Sequence, residues 1–171
     1  RDYMLHRVSK FSILNYVIEK TPEEIPFLSG ATYETLFVSV VPRFFWSDKP
    51  EEKWGNEFGQ RYALIGQNDR QTSMNIGWIT ELYANFGWRG IILGMFLFGI
   101  ILSILERFFM HSGASVSEVA IGTTILLPLF YQESNFTLMT GSIITLTLCM
   151  WMYFHIGAKG LMIVSKLFGL K

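Results

Sequence analysis

Cysteine is almost missing from this chain: Cys149 is the one thiol among 171 residues, which excludes a disulfide within the chain and a cysteine-rich metal site. Histidine is nearly as scarce. His6, His111 and His155 stand far apart with no carboxylate at ligand spacing, so no zinc site is expected. No phosphate-cradling glycine loop precedes a helix, which leaves nucleotide hydrolysis without a motif. Serine and cysteine have no neighbouring base to activate them as nucleophiles. Net charge is missing too, because 14 basic residues balance 14 acidic ones. No overall field then favours nucleic acid or anionic lipid as the main partner, and any electrostatic function must be local. These absences predict a protein without metal or cofactor that does not act on nucleic acid.

Apolar surface is what the chain has in abundance, half of its residues being hydrophobic and 16% aromatic. It comes in blocks. Residues 91–105, 119–132 and 138–156 hold no charged side chain, a composition of membrane helices rather than of a soluble core. As a helix the third block is about 28 Å long, against the ~30 Å of hydrocarbon in a bilayer. The first covers only about 22 Å and is expected to borrow residues from before Arg89, whose guanidinium reaches outward along its apolar stem. The fold class expected is all-α integral membrane: about three transmembrane helices, preceded by a long outer loop with amphipathic helices. Residues 1–77 form the outer loop region and residues 78–171 the transmembrane helices and an amphipathic tail, as one structural unit.

The tail after residue 157 carries Lys159, Lys166 and Lys171 and no acid, so the positive-inside rule puts it in the cytoplasm. Counting back through three spans places "ERFFMHSG" inside as well, and "YQESNFT" together with everything up to the first span outside. With no signal-peptide pattern at Arg1, the chain reads as the C-terminal portion of a longer protein.

In the first twenty residues Leu5, Val8, Phe11, Leu14 or Asn15, and Ile18 recur at helical spacing, interrupted by Arg7, Lys10 and Glu19, which predicts an amphipathic helix packed on protein or lying on lipid headgroups. Pro22 and Pro26 end it. Residues 36–42 are apolar but too short to span. Residues 43–77 show no period and form a polar loop too long for an idle connection. Ser73 or Asn75 is expected to cap a helix running to Phe86, where "NFGWRG" brings the chain into the bilayer. Ser115 and Glu118 fit a reciprocal capping box at the start of the next helix, and Pro128 is expected to kink it near its end.

The outer loop interleaves Arg43, Lys49, Lys53, Arg61 and Arg70 with Asp48, Glu51, Glu52, Glu57 and Asp69. A solvated loop of weak pairs is one reading. The other starts from Pro42 and Pro50, which stiffen the backbone beside Arg43 and Lys49, and from the rings around Arg43, which hold it near a membrane surface. A guanidinium forks onto phosphate oxygens and an ammonium adds a point charge, so this pair suits a pyrophosphate on a lipid carrier. Arg70, just before the expected helix start, would converge on the same kind of anion with the amides near Ser73 and Asn75. Trp46, Trp54, Tyr62, Trp78 and Tyr83 offer flat faces for sugar rings or for interfacial anchoring. Glu81 stands one turn before Asn85; a partly desolvated carboxylate there serves either as general base for a hydroxyl or as ion-pair partner of Arg89 or a loop cation. Glu133 is brought to the same outer face, to pair with a loop arginine or to contact substrate.

Two segments, "LSGATYETLFVSVVPRFFWSDKP" and "SMNIGWITELYANFGWRGIILGMFLFGI", resemble the conserved outer loop and following span of the bacterial oligosaccharide repeat-unit polymerases, the Wzy-type O-antigen and exopolysaccharide polymerases. The resemblance covers residues 28–100 and rests on Pro42, Arg43, Trp46, Lys49 and Pro50 and on the Asn-Phe-Gly-x-x-Gly at 85–90. It implies a multi-pass glycosyltransferase of the bacterial inner membrane that joins undecaprenyl-pyrophosphate-linked repeat units on the periplasmic face, with this chain as the C-terminal part of a larger polytopic bundle. Its partners would be the lipid-linked oligosaccharide, membrane lipid and a chain-length regulator protein. Arg43 and Glu81 would be catalytic, and Arg43, Lys49, Arg61, Arg70, Trp46, Asn85 and Glu133 would contact substrate. The spacing from Arg43 to Gly55 is one residue longer than in some members, and Glu133, Ser134 and Asn135 stand where members tend to carry a basic residue. An O-antigen ligase is the related alternative and a non-catalytic lipid-linked glycan transporter or flippase segment the unrelated one; charge-free spans disfavour an ion-coupled pathway.

Overall fold

The computed structural model describes residues 10–41, 45–49, 53–74, 76–131 and 134–157, and these residues are all-helical. The first helix, α1 (Lys10–Lys20), buries Val17 with Ile13, Leu14 and Ile18 packed beside it, while Phe11 points outward, 77% exposed. The inward stripe is therefore turned by a residue or two from the predicted one, and it packs on protein. A 3-10 turn at Ala31–Tyr33 leads to the short helix α2 (Leu36–Val40).

The loop expected over residues 43–77 contains a helix, α3 (Trp54–Arg61), whose Gly55, Phe58 and Gly59 are buried and which ends at the buried Tyr62. Residues one turn apart, Phe58 and Tyr62, meet ring to ring at 4.6 Å. Two glycines on the buried face hide the apolar period from the sequence. They are there because chain passes directly over them: a Cβ on Gly55 would lie 2.9 Å from the Met74 carbonyl oxygen. Burial of a side chain such as Phe58 is worth about 1.5–3 kcal/mol, comparable to the low helix propensity of the two glycines together, ~1 kcal/mol each, and the buried Tyr62 ring adds to it.

That passing strand corrects the expected start of the next helix. The Met74 amide donates to Gly55 O (3.1 Å), which pins residues 73–74 to α3, and the helix starts later with Gly77 as its cap. This helix, α4 (Trp78–Phe109), is interrupted at Gly87, whose φ of 66° and ψ of −154° fall outside the helical region. The interruption is a reversal. The Trp78 and Phe98 rings meet at 4.8 Å, although twenty residues of continuous helix would separate them by about 30 Å. A Cβ on Gly90 would sit 2.6 Å from Leu82 O, and one on Gly94 2.5 Å from a Leu82 methyl. Glycine lets the two arms, 78–86 and 88–109, approach this closely.

The residues before Arg89 thus turn back and cannot lengthen the apolar segment that follows, contrary to expectation. The second arm gains its length at the other end, through residues 106–109, and its 22 residues cover about 33 Å. Among the described residues α4 is the one helix long and apolar enough to cross a membrane, with a hydropathy of 2.1 in its most apolar window.

The remaining helices are α5 (Val116–Tyr131) and α6 (Phe136–Met152), the latter running on into a π-helical turn at Tyr153–Gly157. The capping box forms as predicted: the Glu118 carboxylate accepts from the Ser115 amide (2.6 Å) and the Ser115 hydroxyl accepts from the Glu118 amide (3.3 Å). Two cores result. Val17, Phe58, Tyr62, Ile76, Tyr83 and Ala84 unite α1, α3 and the first arm of α4. Trp78, Ile121, Ile125, Leu129 and Met139 unite α4, α5 and α6. The short first arm belongs to both, which places its polar residues at the junction.

Candidate functional site

Breaking α4 at Gly87 deprives the last carbonyls of its first arm of helical donors, and another part of the chain supplies replacements. The Leu28 amide donates to Ala84 O (2.9 Å) and the Ser29 amide to Asn85 O (3.2 Å). Ser29 (φ 52°) and Gly30 (φ 95°) then curve the chain back, so that the Gly30 amide donates to Asn85 Oδ1 (2.9 Å). The Asn85 side-chain amide donates in turn to Thr32 Oγ1 (2.9 Å) and to Glu81 O (2.8 Å). Buried at 1% exposure, Asn85 is the pin that joins residues 28–32 to the arm.

Glu81, one turn earlier, is equally buried, and its Oε2 accepts from the Phe136 amide (2.7 Å), the first of α6. Asn135 caps the same helix, its Oδ1 accepting from the Leu138 amide (2.9 Å). A carboxylate at a helix N-terminus meets exposed amides and the positive end of the helix dipole, a favourable place for negative charge. Close by, the Thr137 hydroxyl donates to Thr32 O (3.0 Å). Tyr33 lies over this corner, stacked on Phe86 at 6.3 Å and edge-on to Phe136 at 5.8 Å. Burial, and next the negative charge of Glu81, push its phenol well above the ordinary tyrosine value, while a hydrogen bond with Thr32 opposes them.

Lys49 approaches the same helix from another side. Its ammonium donates to Ser39 O (2.9 Å) and Val41 O (2.8 Å) at the C-terminus of α2, where a cation satisfies otherwise idle carbonyls. The α2 backbone lies against α6, since a Cβ on Gly141 would come 2.7 Å from Ser39 O. Gly141 is five residues, about 7.5 Å along the helix, from Phe136. Glu81, Asn85 and Lys49 are thus assembled around the first two turns of α6.

The other predicted contacts are placed elsewhere or not described. Arg61 is exposed and donates to Pro26 O (2.9 Å). Arg70 is exposed in a turn built on Asp69, whose Oδ1 accepts from the Gln71 and Thr72 amides (2.9 Å each); with α4 starting at Trp78, Arg70 does not stand at a helix start. Trp46 is 40% exposed, whereas Tyr62, Trp78 and Tyr83, expected as sugar or interface rings, are core residues at 1, 4 and 5%. Arg43 and Glu133, like Asn75, lie outside the described residues. Among the described residues no three His, Cys, Asp or Glu side chains converge as a metal ligand set.

Sequence reasoning missed Thr32, Tyr33, Thr137 and the Phe136 amide. The available signal was Asn135 immediately before the apolar run "FTLM", an N-cap that fixes where α6 begins and so where its amides point.

The family described as a domain of unknown function, DUF8712, matches residues 1–165. No curated protein and no solved structure matches the chain.

Proposed function

The chain belongs to the DUF8712 family, whose description assigns no chemistry, and from its own residues we propose that it is part of a bacterial inner-membrane glycan polymerase. In this reading the second arm of α4, α5 and α6 are bilayer helices. The outer face of the second arm supports it, with Ile92, Phe96, Ile104 and Phe108 all 60% exposed or more, the kind of exposed apolar surface that marks contact with lipid or with further protein. The site lies where these helices meet the polar layer, on the periplasmic side.

One observation carries the reading: a buried carboxylate, a buried amide and an anchored ammonium, Glu81, Asn85 and Lys49, gather about the start of α6, at one end of an apolar bundle. There the acceptor hydroxyl of one lipid-linked repeat unit attacks the anomeric carbon of another chain. The new bond forms from the acceptor oxygen, the bond to the pyrophosphate oxygen breaks, and undecaprenyl pyrophosphate departs with its electron pair. Glu81 takes the hydroxyl proton, its carboxylate held in one orientation by the Phe136 amide. Arg43 and Lys49 neutralise the charge that develops on the departing group, and cations so placed supply the largest part of such catalysis; Arg61, bound to Pro26 O, and Arg70, in the Asp69 turn, take no part. Transfer with inversion at the anomeric carbon is the expected stereochemistry.

Incubation of the full-length protein in proteoliposomes with lipid-linked repeat unit alone tests the reading. A ladder of multiples is expected. An O-antigen ligase would leave the donor unextended until given a lipid A-core acceptor, and a transporter would leave it unextended with either.

A further inference from the structure

Between the second arm of α4, α5 and α6 runs a cleft of about 440 Å³, within the ~300–1,000 Å³ usual for ligand sites. Its wall is almost wholly apolar: Trp78, Phe98, Ile125, Phe136, Ile144 and Leu148 line it, and the hydroxyl of Thr147, also in the wall, is spent on Ile143 O (2.7 Å). Along α6 the lining extends from Phe136 to Leu148, a length of about 18 Å parallel to the helix axis. The cleft reaches the surface, since Ile101 and Leu148, which border it, are 49% and 42% exposed.

Water does not fill such a space, because an ordered water needs two to four polar partners and the wall provides almost none. Left empty, its lining forfeits dispersion contacts on one side. The slot is long, almost wholly apolar and open sideways onto the apolar face. Its upper end is set by Phe136, whose own amide holds the Glu81 carboxylate, so the head of any occupant comes to lie in the polar layer and its tail along the helices.

We propose that this cleft is a binding site for one acyl chain of a bilayer phospholipid, which completes the packing of the three helices. The inference rests on the reading of these helices as membrane-embedded and adds to it a site distinct from the glycan-transfer residues. Trp78 forms part of the wall while being only 4% exposed, so it reports on the cleft and not on the outer surface.

The test is tryptophan quenching in bilayer nanodiscs of phosphatidylcholine brominated near the glycerol end of one acyl chain. Two single-tryptophan forms of the full chain are compared, one retaining Trp78 and one retaining Trp88, which is 60% exposed. Both are expected to lose most of their emission relative to unbrominated nanodiscs. Thr140→Leu and, separately, Leu148→Phe fill the cleft, and either is expected to restore Trp78 emission while Trp88 stays quenched. Quenching of Trp88 without quenching of Trp78 overturns the acyl-chain site and leaves the membrane reading intact; failure of both overturns the membrane reading itself. Trp78 quenching that neither filling variant relieves also refutes the site. Recovery of emission on adding a polyprenyl phosphate would assign the cleft to a prenyl chain instead and overturn the proposal as stated.

Discussion

At the scale of single residues the polar layer depends on side chains that have no water to fall back on. Asn85 satisfies a Gly30 amide, the Thr32 hydroxyl and the Glu81 carbonyl at once. Asn85→Ala leaves these groups buried and unmatched, and the expected loss is about 2–3 kcal/mol, read as a lowered unfolding midpoint in detergent. Glu81→Gln separates structure from chemistry. The amide keeps an oxygen for the Phe136 N–H, so the fold should hold, while proton acceptance is lost and polymer formation should fall by about 10²-fold or more in the proteoliposome assay. Tyr33 provides a pH signature. Burial, then Glu81, raises its phenol, and burial raises that of Tyr62 against a hydrogen bond from Thr21. Unfolded phenols ionise near pH ~10 while these two keep their protons, so the stability they contribute is complete below that pH and declines as pH rises beyond it. Tyr33→Phe should flatten this alkaline decline in a series of thermal melts between neutral and strongly alkaline pH.

At the scale of elements the decisive feature is the reversal at Gly87. Its φ and ψ belong to a region essentially restricted to glycine, and a Cβ there would also lie 3.1 Å from the Phe27 ring. Gly87→Ala is expected to cost about 1–3 kcal/mol and to loosen the hairpin. The readout is a disulfide between cysteines introduced at Leu82 and Gly94, which should form readily without the alanine and poorly with it. What was legible in the sequence follows the same division between local and tertiary causes. The Ser115–Glu118 box and the apolar blocks are local, set by hydrogen bonds three residues apart and by composition, and both were foreseen. Glu81 and Asn85 were found because a polar pair one turn apart ahead of an apolar segment is visible in one dimension. Gly87 and Gly90 belong to the "NFGWRG" at which the sequence ends one helix and begins an apolar segment, but the direction of a turn is decided by what the arms pack against, namely Leu82 on Gly90 and Trp78 on Phe98. The helix α3 escapes notice because its buried face uses glycines at 55 and 59, which admit the Met74 backbone and the Ile65 and Met74 side chains respectively and carry no hydrophobic signal of their own.

At the scale of the whole molecule two cores meet at one short arm, a polar-end core and a core between long apolar helices, and the candidate site occupies their junction. That arrangement couples the site to both. Loss of the Asn85 pin should therefore disturb the docking of residues 28–32 more than the packing among α4, α5 and α6, which hydrogen exchange resolved by segment would reveal as faster exchange at Leu28 to Gly30 and little change near Ile125. The separation of the two cores also explains how a chain with no net charge keeps its electrostatics local: the apolar run from 91 to 105 is free of charge, and the ionised groups concentrate before it.

The most direct measurement of the central claim is extension of lipid-linked repeat unit, supplied as the sole substrate, by full-length protein in proteoliposomes, with wild type and Arg43→Ala compared at equal membrane content. A glycan ladder is expected from wild type and short products or none from the variant. A ladder of wild-type length from Arg43→Ala, or no extension by the wild-type protein, would contradict the claim.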